Sequence, residues 1–270
     1  MTDPLPIAFS PCPNDTLICY AWVNNLIPAP PVAAHLSDLE DLNTKLLKRT
    51  YPLSKGSIAV FPKIIKDYVM LPVGTALGWN CGPKIISKKQ ISLQKLSSLT
   101  IALPGEETTA HLLLNKLCVP PRRKIFCRYD LIVEKICSGE VDAGVIIHET
   151  RFSFEKYGLH EIADLGILWQ EQTQLPLPLG AFFVKRSLDA DLINRIYNAI
   201  QQSVLYGRKY IDKAMEYISL HSQEKEPIAI KKHLDMYVTE ETVQLSQKGK
   251  FAIEFLLNLN TEKNWYWTCT

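Results

Sequence analysis

The sequence predicts an α/β protein built on a mostly parallel sheet and divided into two lobes. Three observations lead there. Short apolar runs alternate with helically spaced apolar residues along most of the chain, the pattern of strand–helix–strand units. Three of those runs end in a hydroxyl-bearing turn just before a helix, at Ser10, at Ser57 and at Thr108-Thr109. Two segments, a bent one near 90–99 and the proline-rich 176–180, interrupt the alternation as chain crossings would. With those crossings, residues 1–98 and 177–270 form one discontinuous lobe, its second part mainly helical. Residues 99–176 form the other.

Each element has its own reason. Residues 6–10 (PIAFS) are short and apolar enough for a strand. After the loop Pro11-Cys12-Pro13-Asn14-Asp15, residues 16–24 are expected to run as a helix, with Asn14 or Asp15 capping its first amides. Val32–Leu36 is a second strand, and Leu39–Leu47 carries helical apolar spacing. A loop over 51–57 feeds a third helical stretch, 58–68. Residues 69–79 and 81–87 mix Gly and Pro with β-formers and read as bent strands. Thr100–Leu103 is a strand, 110–117 a strong helix and 124–128 a further strand. Residues 130–137 form an amphipathic helix closed by Ser138-Gly139, since glycine accepts the left-handed turn that ends helices. Residues 141–147 are a buried strand delivering His148, Glu149 and Arg151 at its carboxyl end. Beyond the turn at 176–180, a last strand over 181–186 precedes the helical remainder.

Composition narrows the class. Of 270 residues, 47% are apolar and 21% charged, ordinary for a folded globular chain and against a disordered one. The length suits one large or two modest domains, with a core that needs no disulfide or metal staple. Net charge is only +2, so neither nucleic acid nor an anionic membrane surface is the expected partner. No apolar run approaches the ~18 residues of a membrane span. The opening MTDPLPIAF lacks the basic start and cleavage pattern of an export signal. The seven cysteines form no CxxC pair and no Cys/His zinc spacing. A reducing cytoplasm is the expected location. Oligomeric state stays open.

Candidate chemistry gathers at the turns before helices. Helix N-termini present unpaired amides and partial positive charge, so carboxylates bind there. In open α/β sheets such turns sit at the carboxyl ends of strands, where ligands bind. Any one of the three turns is more simply an ordinary cap. Together they suggest one cavity that takes a small-molecule carboxylate, faced by Ser10, Asn14, Lys55, Ser57, Thr108 and Thr109. Lys55 is either a partner for that carboxylate or a solvated surface lysine. His148 stands apart from the other histidines, because a buried strand end beside charged residues suits a proton acceptor. A hydrogen-bonded structural histidine fits the same residues. His35, His111, His160, His221 and His233 read as structural or surface residues. Cys12 is a nucleophile only if a helix terminus depresses its pKa, and otherwise a small inert thiol. The aromatic run Trp265-Tyr266-Trp267 either makes a contact patch or folds back on the body. Phosphate-binding glycine loops, GxSxG and HExxH are absent; Phe152 stands where the second histidine of the last would be.

Ser10-Pro11-Cys12-Pro13-Asn14-Asp15-Thr16 resembles the signature of the 1,4-dihydroxy-6-naphthoate synthases of the futalosine route to menaquinone. So do Lys55-Gly56-Ser57, where Gly56 replaces a larger expected residue, and the loop from Gly105 to Thr108-Thr109-Ala110. Residues 143–152 (AGVIIHETRF) and 175–180 (LPLPLG) match as well, and the resemblance spans about residues 5 to 240. It implies a type II periplasmic-binding-protein-like fold with an interlobe cleft and no export signal. It implies cleavage of cyclic dehypoxanthinylfutalosine to 1,4-dihydroxy-6-naphthoate with loss of a three-carbon fragment, dihydroxyacetone, and no metal or organic cofactor. The family's base falls on His148. Its substrate contacts fall on Lys55, Gly56, Ser57, Thr109 and Ala110; Ser10, Asn14, Asp15, Thr108, Arg151, Leu179 and Gly180 complete the expected binding set. Two rivals remain: a non-catalytic carboxylate-binding protein of the same fold, and a sister enzyme acting on chorismate, against which the block at 148–151 argues.

Overall fold

Two runs of small and apolar residues open the chain and pair side by side. In the computed structural model, which describes residues 3–223, 225–259 and 265–268, β1 (Leu5–Phe9) lies parallel to β2 (Val32–Leu36), with Ile7 opposite Ala34. α1 (Pro13–Val23) connects them. Pro13 opens that helix, where a missing N–H costs nothing, so it starts before the predicted Thr16. Asn14 and Asp15 therefore lie inside its first turn and do not cap it; Cys12 is the N-cap, without a side-chain hydrogen bond. α2 (Leu39–Leu47) has the predicted span, and its N-cap Asp38 accepts from the Glu40 amide. β3 (Leu53–Ser57) joins β1 in parallel. The helix expected over 58–68 shrinks to a 3-10 turn (Ile58–Val60) and α3 (Phe61–Ile64), because the chain extends again as β4 (Tyr68–Met70). β5 (Ala76–Gly78) closes this part.

The chain divides into two units, Met1–Leu77 with Pro178–Thr270, and Gly78–Leu177. The second unit has its own sheet. β6 (Lys84–Ser87), β7 (Thr100–Leu103), α4 (Thr109–Leu117), β8 (Arg123–Phe126), α5 (Ile132–Ser138), β9 (Ala143–Ile146), β10 (His160–Asp164) and α6 (Leu165–Thr173) follow in turn. Their strand order is β10-β6-β9-β7-β8. β7 is parallel to β8 and β9, and β6 is antiparallel to β9 and β10. The first crossing thus lies at Leu77/Gly78 and not near 90–99, because β6 already pairs in the second sheet. The bent segment is a 3-10 stretch, Leu93–Ser98, leading into β7. Gly139, at φ +80°, ends α5 in the left-handed turn. Ile86, Ala102, Ile132, Ile136 and Ile146 form this unit's buried core.

The chain returns as β11 (Leu177–Lys185). Residues 177–180, read from their prolines as a turn, are strand. Pairing with β3 begins only at Gly180, opposite Ser57, so Pro178 removes no donor from that ladder. β11 lies between β3 and β4, antiparallel to both. Both sheets are therefore mixed, not mostly parallel: each admits strands that come back against the first direction. Among the described residues five helices follow: α7 (Ala190–Lys209), α8 (Ile211–His221), α9 (Pro227–Tyr237), α10 (Glu240–Val243) and α11 (Gln247–Leu257). Ile193, Ile196, Ile200 and Val204 of α7 pack with Ile18 and Trp22 of α1 and with Phe182 of β11 in one buried cluster. Each such side chain contributes about 1.5–3 kcal/mol on burial. The aromatic run folds back: Trp265 is buried against Phe61 and donates to Glu254, while Tyr266 bridges to Met70. Among the described residues no helix is long and apolar enough to cross a membrane.

Candidate functional site

In the first unit, β1 and β3 run parallel and end at Phe9 and Ser57, and β11 enters beside Ser57 at Gly180. Ser10, Lys55, Ser57 and Gly180 consequently share one edge of the sheet. Asp15 meets that edge from the first turn of α1. Its Oδ1 is 2.9 Å from Lys55 Nζ and accepts from Asn14 Nδ2 at 2.8 Å. Its Oδ2 accepts from Ser10 Oγ at 2.7 Å. Lys55 Nζ also donates to the Gly74 carbonyl at 2.6 Å and lies 5.0 Å from the Phe182 ring centre. Asn14 Oδ1 meets His233 Nε2, from α9, at 2.9 Å. Lys55 is only 2% exposed. It is neither a solvated surface lysine nor an uncompensated cation, since Asp15 holds its charge. Such a buried pair costs several kcal/mol per ion to desolvate and persists because donors satisfy every oxygen.

The neighbouring residues fix the backbone of this edge. The Ser57 amide donates to Asn43 Oδ1 at 2.8 Å, and Asn43 Nδ2 donates back to Ser57 Oγ at 3.0 Å. That reciprocal pair ties the end of β3 to α2. A side chain at Gly56 would meet the tip of the Leu46 side chain of α2 at 2.3 Å, so the larger residue expected there would need Leu46 to move. At Gly180 a side chain would press on the Gly56 carbonyl at 3.2 Å and on Lys55 at 3.4 Å; Leu179 beside it is half-buried. Below the network, burial, with Asp15 assisting and Lys55 opposing, pushes the Cys19 thiol well up. That favours the weakly nucleophilic thiol form over the thiolate, and Cys12 is likewise buried.

In the second unit, β7, β9 and β10 end at a common sheet edge, as their pairings require. Thr108 is the N-cap of α4: its hydroxyl donates to the Gly105 carbonyl at 2.9 Å and accepts from the His111 amide at 3.3 Å. Thr109 and Ala110 are buried in the first turn, where backbone amides project from the helix end. His148 follows β9 and does not extend the strand. It opens a 3-10 turn, His148–Phe152, with a left-handed backbone at φ +59°. That conformation costs a non-glycine residue about 1–2 kcal/mol and collects at functional positions. The half-buried ring stands edge-on to Tyr129, with centres 4.7 Å apart and planes at 71°. Further along the turn, Arg151 donates to Asp164 Oδ2 at 2.8 Å, with both side chains buried. Asp164 Oδ1 accepts from the Gly166 and Ile167 amides as the N-cap of α6. Burial pushes the Asp164 carboxyl up, against the pull of Arg151 and those amides. Arg151 thereby anchors the His148 turn to the end of β10.

His233, expected as a structural or surface histidine, joins the first-edge network, and Asn43 and Asp164 hold the two edges without any mark in the sequence. Asn43 and Asp164 sit in ordinary helical and capping patterns, and nothing local marks His233, which meets Asn14 from 219 positions away. Among the described residues no group of three or more His, Cys, Asp or Glu side chains gathers where it could hold a metal ion.

A family model described as menaquinone biosynthesis matches residues 5–262. This chain belongs to the menaquinone biosynthesis family. A 1,4-dihydroxy-6-naphthoate synthase of Thermus thermophilus is 39% identical over 250 residues, covering 92% of this chain and 91% of that one. A crystal structure of a protein from Archaeoglobus fulgidus shares 28% identity, with a TM-score of 0.90 over 94% of this chain and 96% of that one. The periplasmic aliphatic sulphonate-binding protein of Escherichia coli superposes with a TM-score of 0.67 at 11% identity, covering 100% of this chain and 94% of that one. That similarity shows the fold alone, a periplasmic-binding-protein-like α/β fold. In this member of the menaquinone biosynthesis family, the blocks that carried the sequence resemblance fall at the two sheet edges. The segment from Ser10 and the Lys55-Gly56-Ser57 block lie at the first; Thr108-Thr109-Ala110 and the turn from His148 lie at the second.

Proposed function

We propose that this chain is a carbon–carbon lyase of menaquinone biosynthesis that forms 1,4-dihydroxy-6-naphthoate from cyclic dehypoxanthinylfutalosine, releasing dihydroxyacetone, with His148 as general base. The observation that carries the reading is the 39% identity to a synthase of that name across 92% of this chain. The surroundings of His148 support its role. A proton acceptor must hold its nitrogen within about 3 Å of the hydrogen's path. A short anchored turn at the end of a buried strand, with Tyr129 against the ring, provides that fixity. The imidazole takes a proton beside a substrate carbonyl, and donors stabilise the oxyanion that develops. The carbon–carbon bond then breaks, and aromatisation of the second ring drives the outcome. A sequence of this kind needs no metal or organic cofactor.

The substrate carboxylate is assigned to the first turn of α4, at Thr108, Thr109 and Ala110, where helix amides favour an anion. Lys55 already serves Asp15, so the carboxylate's counter-charge comes from those amides. Ser10, Asn14, Asp15, Lys55, Gly56, Ser57, Leu179 and Gly180 are the further substrate contacts of this reading, and Arg151 acts through the turn it anchors. The reading includes a small-molecule substrate and a cytoplasmic location. Incubating the purified protein with the cyclic futalosine substrate should yield the naphthoate and dihydroxyacetone by mass. Turnover of chorismate instead, or tight binding without product, overturns it.

A further inference from the structure

We infer that His233 is a positioning residue: by holding a proton on Nε2 it completes the network at the first sheet edge and fixes Asn14 against Asp15. The tautomer stands on geometry alone, and only its kinetic consequence rests on the synthase reading above. Lys55 carries only donors, and the Asp15 carboxylate beside it carries only acceptors. Asn14 approaches the same Asp15 oxygen at 2.8 Å. It must turn Nδ2 there, because Oδ1 facing a carboxylate would set two buried acceptors against each other. Oδ1 is then directed at His233 Nε2, 2.9 Å away. An acceptor in that place needs a donor, so Nε2 carries hydrogen.

Polarity therefore runs one way, from α9 to α1 and on to the sheet edge. His233 donates to Asn14, Asn14 donates to Asp15, and Ser10 and Lys55 donate into the same carboxylate. The Tyr237 ring lies 4.8 Å from the imidazole and keeps it in place. His233 is 2% exposed and Asn14 8%, so water does not take over the donor's part. Ser10 and Asn14 flank the loop between β1 and α1. A single proton on a helix near the far end of the chain thus satisfies the amide oxygen that the Asp15 carboxylate turns away, and holds Asn14 in that orientation.

Heteronuclear NMR of the imidazole nitrogens in the full-length protein reads the tautomer without substrate. Hydrogen on Nε2 at neutral pH is the expected result; a bare Nε2 with hydrogen on Nδ1 overturns the inference, whether or not the synthase reaction is seen. In the kinetic arm, His233→Leu should raise KM about tenfold for the lost buried hydrogen bond, with kcat within about twofold of wild type. His233→Gln, which keeps an N–H donor, should recover most of that KM. A folded Leu variant with wild-type KM, or Leu and Gln variants equally impaired at wild-type melting temperature, overturns it. If the Leu variant does not fold, the NMR result and the Gln variant decide.

Discussion

At the first sheet edge every charge is answered from within the protein: Lys55 by Asp15, Asp15 by Ser10 and Asn14, Asn14 by His233. At the second edge the buried ion pair, Arg151 with Asp164, sits beside the proposed base and not at it. His148 itself is half-buried on a left-handed backbone, with its ring edge-on to Tyr129. On the proposed function, the difference is one between template and reagent. A self-compensated network keeps its shape whatever solvent does, which suits a surface that must stay complementary to a ligand. For the proposed base, a half-buried imidazole on a left-handed backbone gives up some stability to place a nitrogen where a proton would be.

The sharpest way to break this comparison is at the reagent. His148→Asn keeps hydrogen bonding and most of the volume but accepts no proton at neutral pH. It should bind substrate and lose about 10²–10⁴-fold in kcat, the range for removing a general base. Wild-type turnover in that variant would make His148 structural. Next comes the template. Lys55→Met leaves Asp15 charged and buried without its cation, and should cost about 3–5 kcal/mol of stability in chemical denaturation. Adding Asp15→Asn should recover a large part of that loss, as coupled neighbours do. A single variant as stable as wild type would mean that the first edge is not held by its charges.

A smaller effect is expected at the α4 turn. Thr109→Val should weaken substrate binding by about 1–3 kcal/mol through an unpaired buried group, read by calorimetry with the chain folded. Unchanged affinity would move the carboxylate elsewhere. The smallest effect concerns a buried neutral group in the first unit. Tyr68 donates to the Tyr51 carbonyl at 2.7 Å. Burial pushes its hydroxyl up to about 12, with Arg49 opposing and Asp67 assisting. Its protonated form favours the fold, so its contribution is whole below the unfolded value of about 10 and is lost as pH rises through about 12. Tyr68→Phe should lose about 0.5–1.5 kcal/mol at neutral pH and show a flatter fall in stability through that alkaline window. A fall as steep as wild type would assign the alkaline loss to other groups.

Local signals carried well into structure wherever one segment decided its own fate. Val32–Leu36 and Leu39–Leu47 appear with the predicted bounds, and Gly139 ends α5 as its conformational freedom suggests. What depended on partners was less legible. The prolines at 176 and 178 look like a turn until one sees that the ladder to β3 starts at Gly180. The first crossing was misplaced because nothing within β6 says which sheet it joins. Ser10 and Lys55 read as facing an anion site and Asp15 as a helix cap or, by resemblance, a substrate contact, but no spacing rule reveals that Lys55 and Asp15 neutralise each other. His233 carries no local mark at all, being brought to Asn14 only by the packing of α9 near α1.

The place of β11 has a consequence for how the molecule is made. β3 and β4 are separated in the first sheet by a strand that leaves the ribosome only after the whole second unit. During synthesis β3 waits with one side unpaired, and Lys55 waits for the ring of Phe182 that will cover it. The second unit, uninterrupted from Gly78 to Leu177, has all its strands in hand by then. Contacts of such long sequence separation form late. The nascent chain should therefore gain protease resistance first in its middle, with the opening residues protected only once the return strand has emerged.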